Sequence, residues 1–268
     1  MKNFPTSTEL THYARTRVTG ILKDYLGTLS DAQQKLDAYL KIKKTISTPS
    51  KIDFIKNYEP KKFQYVRDEL KSMLKKSDAY SEHDWQKLIA GFLLLLFPKY
   101  IAVLKNLQIK DFYSDPSKVK NRFIDLTMVD ANGTIDIIEI KKPFANCLLS
   151  RHKYRDSHTP RIELTGSVMQ VEKYIFHLKK WGRDGEKEIL KKNKSHLPSN
   201  FKINVTNPQA MLILGRDIDF SGEQEFDFEI IKRKYANIVD VMTYDDLLRR
   251  LDNIIAMIEK NYSELGVL

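Results

Sequence analysis

The spacing of apolar residues changes character at about Ser81. Before it, polar, lysine-rich stretches carry apolar residues at helical intervals. One helix runs from a Thr6 or Ser7 cap to Leu26-Gly27, and Ser30-Asp31 opens another bearing Leu36, Tyr39, Leu40 and Ile42. Pro49-Ser50 and Pro60 punctuate further short helices. From Ser81 the pattern is far more apolar. Ser81 caps a helix through Phe97, with Asp84 at the third helical position suiting a weakened form of the capping box. A strand follows at Ile101 to Ile109, then a hairpin and a basic loop from Pro143 to Arg161. A helix from Glu163 to Trp181 precedes a polar insertion from Gly182 to Asn207. Ala210 to Gly215 is a short strand, Phe226 to Tyr235 a helix, Ile238 to Thr243 a strand and Tyr244 to Lys260 a closing helix. Strands alternating with helices predict an α/β domain over residues 79–268, behind an all-helical accessory domain over 1–78.

Within the hairpin two acids stand where apolar residues would be expected. Asp125 sits among Phe123, Ile124 and Leu126, and Glu139 among Ile137, Ile138 and Ile140. Such strands read as buried on both faces, and a buried carboxylate is costly unless paired or metal-bound. Glu139 and Lys141, two apart, project from one face. Whether Asp125 joins them depends on the turn Asp130-Ala-Asn-Gly133. A two-residue Asn132-Gly133 turn would set Asp125 opposite Ile140, on the wrong face. A three-residue loop with Gly133 left-handed sets Asp125 opposite Glu139, about 5 Å away at Cβ. The second register is predicted. The alternative is a structural ion pair at a strand end.

Two carboxylates and an ammonium suit a divalent metal, Mg²⁺ or Mn²⁺, and attack on a phosphodiester. Asp125 and Glu139 would be ligands, with Glu82 either a third metal-shell acid or simply a favourable charge at a helix N-terminus. Lys141 would stabilise the oxyanion or position the attacking water. On the Glu163–Trp181 helix, Gln170 and Tyr174 share a face with Glu163 and His177, while Val168, Val171, Ile175 and Leu178 form the other. Gln170 would orient Lys141 or the water, or be an ordinary boundary residue.

The 268 residues hold 45 Lys and Arg against 35 Asp and Glu, a net charge of +10, which suits a polyanionic partner. The cations Arg151, Lys153, Arg155 and Arg161, interleaved with Tyr154, His152 and His158 just past Lys142, suit phosphate contacts; a basic surface loop is the plainer reading. A single cysteine, Cys147, excludes a disulfide framework and a cysteine-rich zinc site. The apolar run Leu88–Phe97 is too short to span a bilayer, and no cleavable leader is visible, so a cytoplasmic protein without a membrane segment is expected.

The hairpin Ile124-Asp125…Ile138-Glu139-Ile-Lys141 resembles the PD-(D/E)XK nuclease superfamily. More narrowly, the chain resembles the Shedu family of anti-phage defence nucleases. The matching segments are Glu82-His-Asp-Trp-Gln86, Ile138 to Pro143, Tyr154-Arg-Asp156, Met169 to Tyr174, Leu214-Gly-Arg-Asp217 and Thr243-Tyr-Asp-Asp246, within residues 80 to 260. Ile124 stands where that superfamily often has proline. The resemblance implies a restriction-endonuclease-like mixed central sheet flanked by helices, a divalent metal, no small-molecule cofactor, cleavage of DNA and a homo-oligomer. By position it assigns catalysis to Asp125, Glu139 and Lys141, supported by Gln170 and Glu82. The competing expectations are a catalytically idle nucleic-acid-binding or scaffold module of the same fold, and a ribonuclease.

Overall fold

Gly133 fixes the register on which the sheet is built. In the computed structural model, which describes residues 48–264, it is left-handed at φ 84°. Asp130 N–H donates to Thr134 O at 3.0 Å, closing a three-residue loop. The Asp130 side chain accepts from Asn132 N–H at 2.8 Å and Thr134 N–H at 2.9 Å. A Cβ on Gly133 would lie 1.9 Å from the Lys202 carbonyl oxygen, so no other residue fits.

The described chain opens with helix α1 (Thr48–Leu74), then α2 (Glu82–Leu96), β1 (Tyr100–Asp111), β2 (Lys120–Asp130), β3 (Ile135–Ile140), β4 (Leu149–Tyr154) and β5 (Ser157–Pro160). It continues through α3 (Ile162–Asn193), β6 (Ala210–Ile213), α4 (Gly222–Tyr235), β7 (Asp240–Met242) and α5 (Tyr244–Glu264). Five strands form one mixed sheet in the order β1-β2-β3-β6-β7. The β1-β2-β3 half is antiparallel, and β3, β6 and β7 run parallel. Helices flank it. Leu164, Val168, Val171 and Leu178 of α3 share one core with Ile137, Leu212 and Val241. The buried residues of α2, among them Trp85, Ile89, Phe92 and Leu93, lie outside that core, and α2 lies against β1, β2 and β3. The α/β class and its flanking helices are as predicted. The Ser81 capping box forms with Asp84.

The chain divides into two compact units. One, Glu69 to Arg250, contains the whole sheet; the other gathers residues before Glu69 and after Arg250. In the latter Gln64 donates to Glu259 at 3.2 Å and Arg67 pairs with Asp252 at 3.5 Å. The helices expected from Thr6 to Leu26 and from Ser30 onward lie outside the described residues. No helix among the described residues is long and apolar enough to cross a membrane.

Three expectations need correction. Pro60 does not end a helix: α1 runs through it. A proline removes one backbone bond and bends a helix, but the buried stripe Phe63, Val66, Leu70, Met73 carries this one onward. The basic loop is instead a hairpin of β4 and β5, turned by Arg155 and Asp156, both left-handed at φ 47° and 67°. The polar insertion after Gly182 is helical as far as Asn193, with Gly182 (φ 56°) marking a kink. Trp181, Gly185 and Ile189 are all buried there, and a Cβ on Gly185 would lie 2.8 Å from the Trp181 ring.

Candidate active site

The strand register places the two acids together. Leu126 pairs with Ile138 and Val129 with Ile135, which sets Asp125 opposite Glu139. On the other side, β1 pairs Lys105 with Leu126 and Leu107 with Ile124, so Asn106 falls opposite Asp125. Asn106 is left-handed at φ 50°. Here the inward alternation of β2 changes hand. Ile124 joins the core beneath α3, whereas the buried Leu126 and Met128 do not. Asp125 therefore sits at a local twist of the sheet rather than in a regular ladder.

Glu139 is 1% exposed on a strand buried throughout. Its Oε1 accepts from Lys141 Nζ at 2.6 Å and from Gln170 Nε2 at 2.8 Å. Its Oε2 is buried with no hydrogen-bond partner among the described residues. Asp125 Oδ2 accepts from the Ile140 N–H at 3.1 Å, and Gln86 of α2 stands by the same carboxylate and favours its charged form. Glu82, one turn earlier on α2, stands 3.8 Å from Lys141 Nζ. Gln170 also bonds the Tyr174 hydroxyl at 2.7 Å. Three elements thus converge: the hairpin, the N-terminus of α2 and the first turns of α3.

The electrostatics follow from burial. Desolvation and repulsion from Asp125 push the Glu139 carboxyl up to about 7, against the pull of Lys141. Burial also raises Asp125, opposed by the Ile140 N–H, Lys141 and Gln86. Glu82 is raised for the same first reason, with Lys141 opposing. Burial alone would lower the Lys141 ammonium. Glu139, by charge and hydrogen bond, then Glu82 and Asp125, outweigh it and hold Lys141 above its ordinary value. Lys141 is therefore a cation at neutral pH, and the carboxylates around it carry excess negative charge. Among the described residues no three His, Cys, Asp or Glu side chains form a ready metal cage. What does fit a cation is the orphaned Glu139 oxygen, with a second carboxylate across the ladder.

The family described as Shedu protein SduA, C-terminal, matches residues 79–248, more than half of the chain. The chain belongs to the Shedu family. No curated protein matches it. In this Shedu domain the segments Leu214–Asp217 and Thr243–Asp246, whose roles the sequence did not disclose, support the strand that carries Lys141. The Tyr244 hydroxyl donates to the Lys141 carbonyl at 2.8 Å, and Lys141 N–H donates to Ile213 O at 2.8 Å. Tyr244 is fully buried and meets the Trp85 ring edge-on at 5.0 Å. Its own N–H donates to Gly215 O at 3.1 Å. Next to it Arg216 forks onto Asp245, and Arg249 bridges Asp217 and Asp246.

Other sequence-predicted residues fall elsewhere. Gln170 meets Glu139, not Lys141. His177, expected on the same helix face, is buried 3.4 Å from Asp111, and Glu163 pairs with Arg161 at 3.3 Å. In the Shedu hairpin Arg151 is exposed and Arg155 lies 5.5 Å from the Tyr154 ring. Lys153 is paired with Glu223, and Arg161 donates to the Asn146 carbonyl at 2.7 Å. Lys142 lies 5.2 Å from the Phe144 ring. The His158 ring is hydrogen-bonded to the Ser150 carbonyl at 3.1 Å, and the His158 backbone N–H donates to Asp227 at 2.7 Å. His152 N–H donates to the Ser150 hydroxyl at 3.3 Å. Gln86 and Tyr244 were missed as site residues. Both sit in quoted motif segments, but only packing of α2 and α5 against the hairpin gives them a role.

Proposed function

We propose that this Shedu protein is a divalent-metal-dependent DNA endonuclease acting in anti-phage defence, with a restriction-endonuclease-like core. One observation carries the reading: a buried Glu139 oxygen without a partner, on a carboxylate already strained by Asp125. A buried carboxylate satisfied on one oxygen only is expensive, and a cation shared with Asp125 would remove that cost.

Asp125 and Glu139 would hold the Mg²⁺ or Mn²⁺, with Glu82 reaching it through the outer shell; when bound, it would lower the pKa of a water and neutralise phosphate charge. The chain's own groups do the rest. Lys141 presents a fixed positive charge to the phosphate oxyanion. Gln170, held by Tyr174, fixes the Glu139 rotamer, and the Ile140 N–H does so for Asp125. Lys142 beside the site, and Arg151 and Arg155 of the β4–β5 hairpin, would offer phosphate contacts. Lys153 and Arg161 would have to exchange their present partners.

The competing reading, an idle module, draws on the fact that Glu139 Oε1 is already bound by Lys141 and Gln170. It leaves Oε2 and the facing Asp125 unexplained. Plasmid nicking with Mg²⁺ or Mn²⁺, against EDTA, tests the proposal; Glu139→Gln and Lys141→Ala should each abolish it. Equal cleavage by either variant would refute the assignment. Replacing the DNA by RNA of the same sequence decides the substrate.

A further inference from the structure

At the far end of β1 a buried carboxylate does a job unrelated to the site above. Asp111 is fully buried. It accepts from the Tyr113 and Ser114 N–H groups at 3.1 and 2.9 Å, from Arg122 Nε at 2.6 Å, and faces His177 Nδ1 at 3.4 Å. The Arg122 fork also donates to the Ser114 hydroxyl at 3.0 Å. The backbone bonds and Arg122 overcome burial and hold Asp111 ionised. The net result ties the end of β1 to β2, and Tyr113, whose N–H it holds, lies beside Phe176 of α3. The rings meet edge-to-face with centroids 5.2 Å apart, and Lys180 Nζ stands 5.7 and 5.8 Å from the two.

Both rings are nonetheless wet: Tyr113 is 55% and Phe176 43% exposed. Large aromatics held rigidly at a surface are a binding feature rather than a packing one. Their surroundings are cationic. Residues 110–122 and 172–184 hold Lys110, Lys118, Lys120, Arg122, Lys173, Lys179, Lys180 and Arg183 against Asp111, Asp115, Glu172 and Asp184. Arg122 cancels Asp111, and Lys120 pairs with Asp115 at 3.2 Å. Aromatic faces set among lysines match unpaired nucleotides, whose bases stack and whose phosphates need counter-charge. An acidic peptide would use the charge but not the rings, and an apolar partner the rings but not the lysines. The position fits as well. Phe176 lies six residues beyond Gln170 on α3, a rise of roughly 9 Å.

We propose that Tyr113, Phe176 and Lys180 form a stacking platform for an unpaired nucleic-acid strand passing from the carboxylate site. This extends the nuclease reading to a partner surface, yet it is measured without cleavage. Binding of a fluorescent 12-nucleotide thymidine oligomer to the full chain is followed by anisotropy in EDTA. The double variant Tyr113→Ala/Phe176→Ala should bind about tenfold more weakly, and Tyr113→Phe should bind as the native chain does. An abasic oligomer of the same length should bind native protein no better than the thymidine oligomer binds the double variant. Thermal melting confirms that each variant is folded; if the double variant is not, the abasic comparison on native protein decides alone. Equal affinity of native protein for the abasic and thymidine oligomers would overturn the platform. So would an equal loss on blunt duplex, whose bases are not free to stack. A protein that binds the oligomer in this way but never cleaves would defeat the nuclease proposal and leave the platform standing.

Discussion

Strand β3 carries two buried acids three residues apart, and they have opposite fates. Asp136 accepts from the Tyr100 hydroxyl at 2.7 Å, the Gln209 N–H at 2.7 Å and Lys99 Nζ at 3.1 Å. Both of its oxygens are satisfied, by groups that join β1, β3 and the segment entering β6. Glu139 is buried still more deeply, faces another carboxylate and leaves one oxygen bare. Burial is therefore not what separates the two acids. Completeness of the partner set is. Asp136 ties the sheet together, whereas Glu139 meets Lys141 and Gln170 through one oxygen and, among the described residues, has no partner for the other.

The contrast can be broken most severely at Lys141. Lys141→Ala should reduce metal-dependent cleavage by about 100- to 1000-fold, with the melting temperature within a few degrees of native; a steady-state nicking assay beside calorimetry checks both. Next come the acids themselves. Asp136→Asn should destabilise the fold by about 2 to 3 kcal/mol, read from urea unfolding. Glu139→Gln should stabilise it in metal-free buffer at pH 8. The sign follows from linkage. The folded pKa, about 7, lies above the ordinary value near 4.5. The contribution of Glu139 to stability is thus complete below pH 4.5 and is lost as pH rises through 7, a change of about 2 to 3 kcal/mol. Native protein minus the Gln variant, followed from pH 4 to 8, should trace that loss, and a flat difference would contradict it. Saturating Mn²⁺ should restore about 2 to 3 kcal/mol to native protein at pH 8 and nothing to Glu139→Gln. The smallest effect belongs to Tyr244→Phe. Losing one hydrogen bond to the Lys141 carbonyl should cost about 1 kcal/mol and slow cleavage by less than tenfold.

The hairpin was legible because its turn is chemically narrow. Asp130-Ala-Asn-Gly133 admits few geometries, and the residues flanking it need a particular face. The Ser81–Asp84 cap was legible for the same reason: a short local pattern with one satisfied form. The β4–β5 hairpin was not, since Arg155-Asp156 is a weak turn signal and the strands are polar on their exposed positions. The helix beyond Gly182 was hidden by its charge, because its buried stripe is only Trp181, Gly185 and Ile189. Gln86, Tyr244 and the Asp136 cluster depend on elements distant in sequence meeting over the hairpin, which no local pattern encodes. The hydrogen bond from Gln170 to Glu139 was not legible, since helix periodicity gives a face but not a contact.

Gly133 lies six residues from Glu139 and eight from Asp125, yet the turn that lets them meet requires it. A side chain there would strike the Lys202 backbone and forbid the left-handed turn, and a one-residue slip would carry Asp125 to the opposite surface of the sheet. In a genetic screen for loss of activity, hits at this glycine would be indistinguishable from hits at Glu139, although it sits at the far tip of the hairpin.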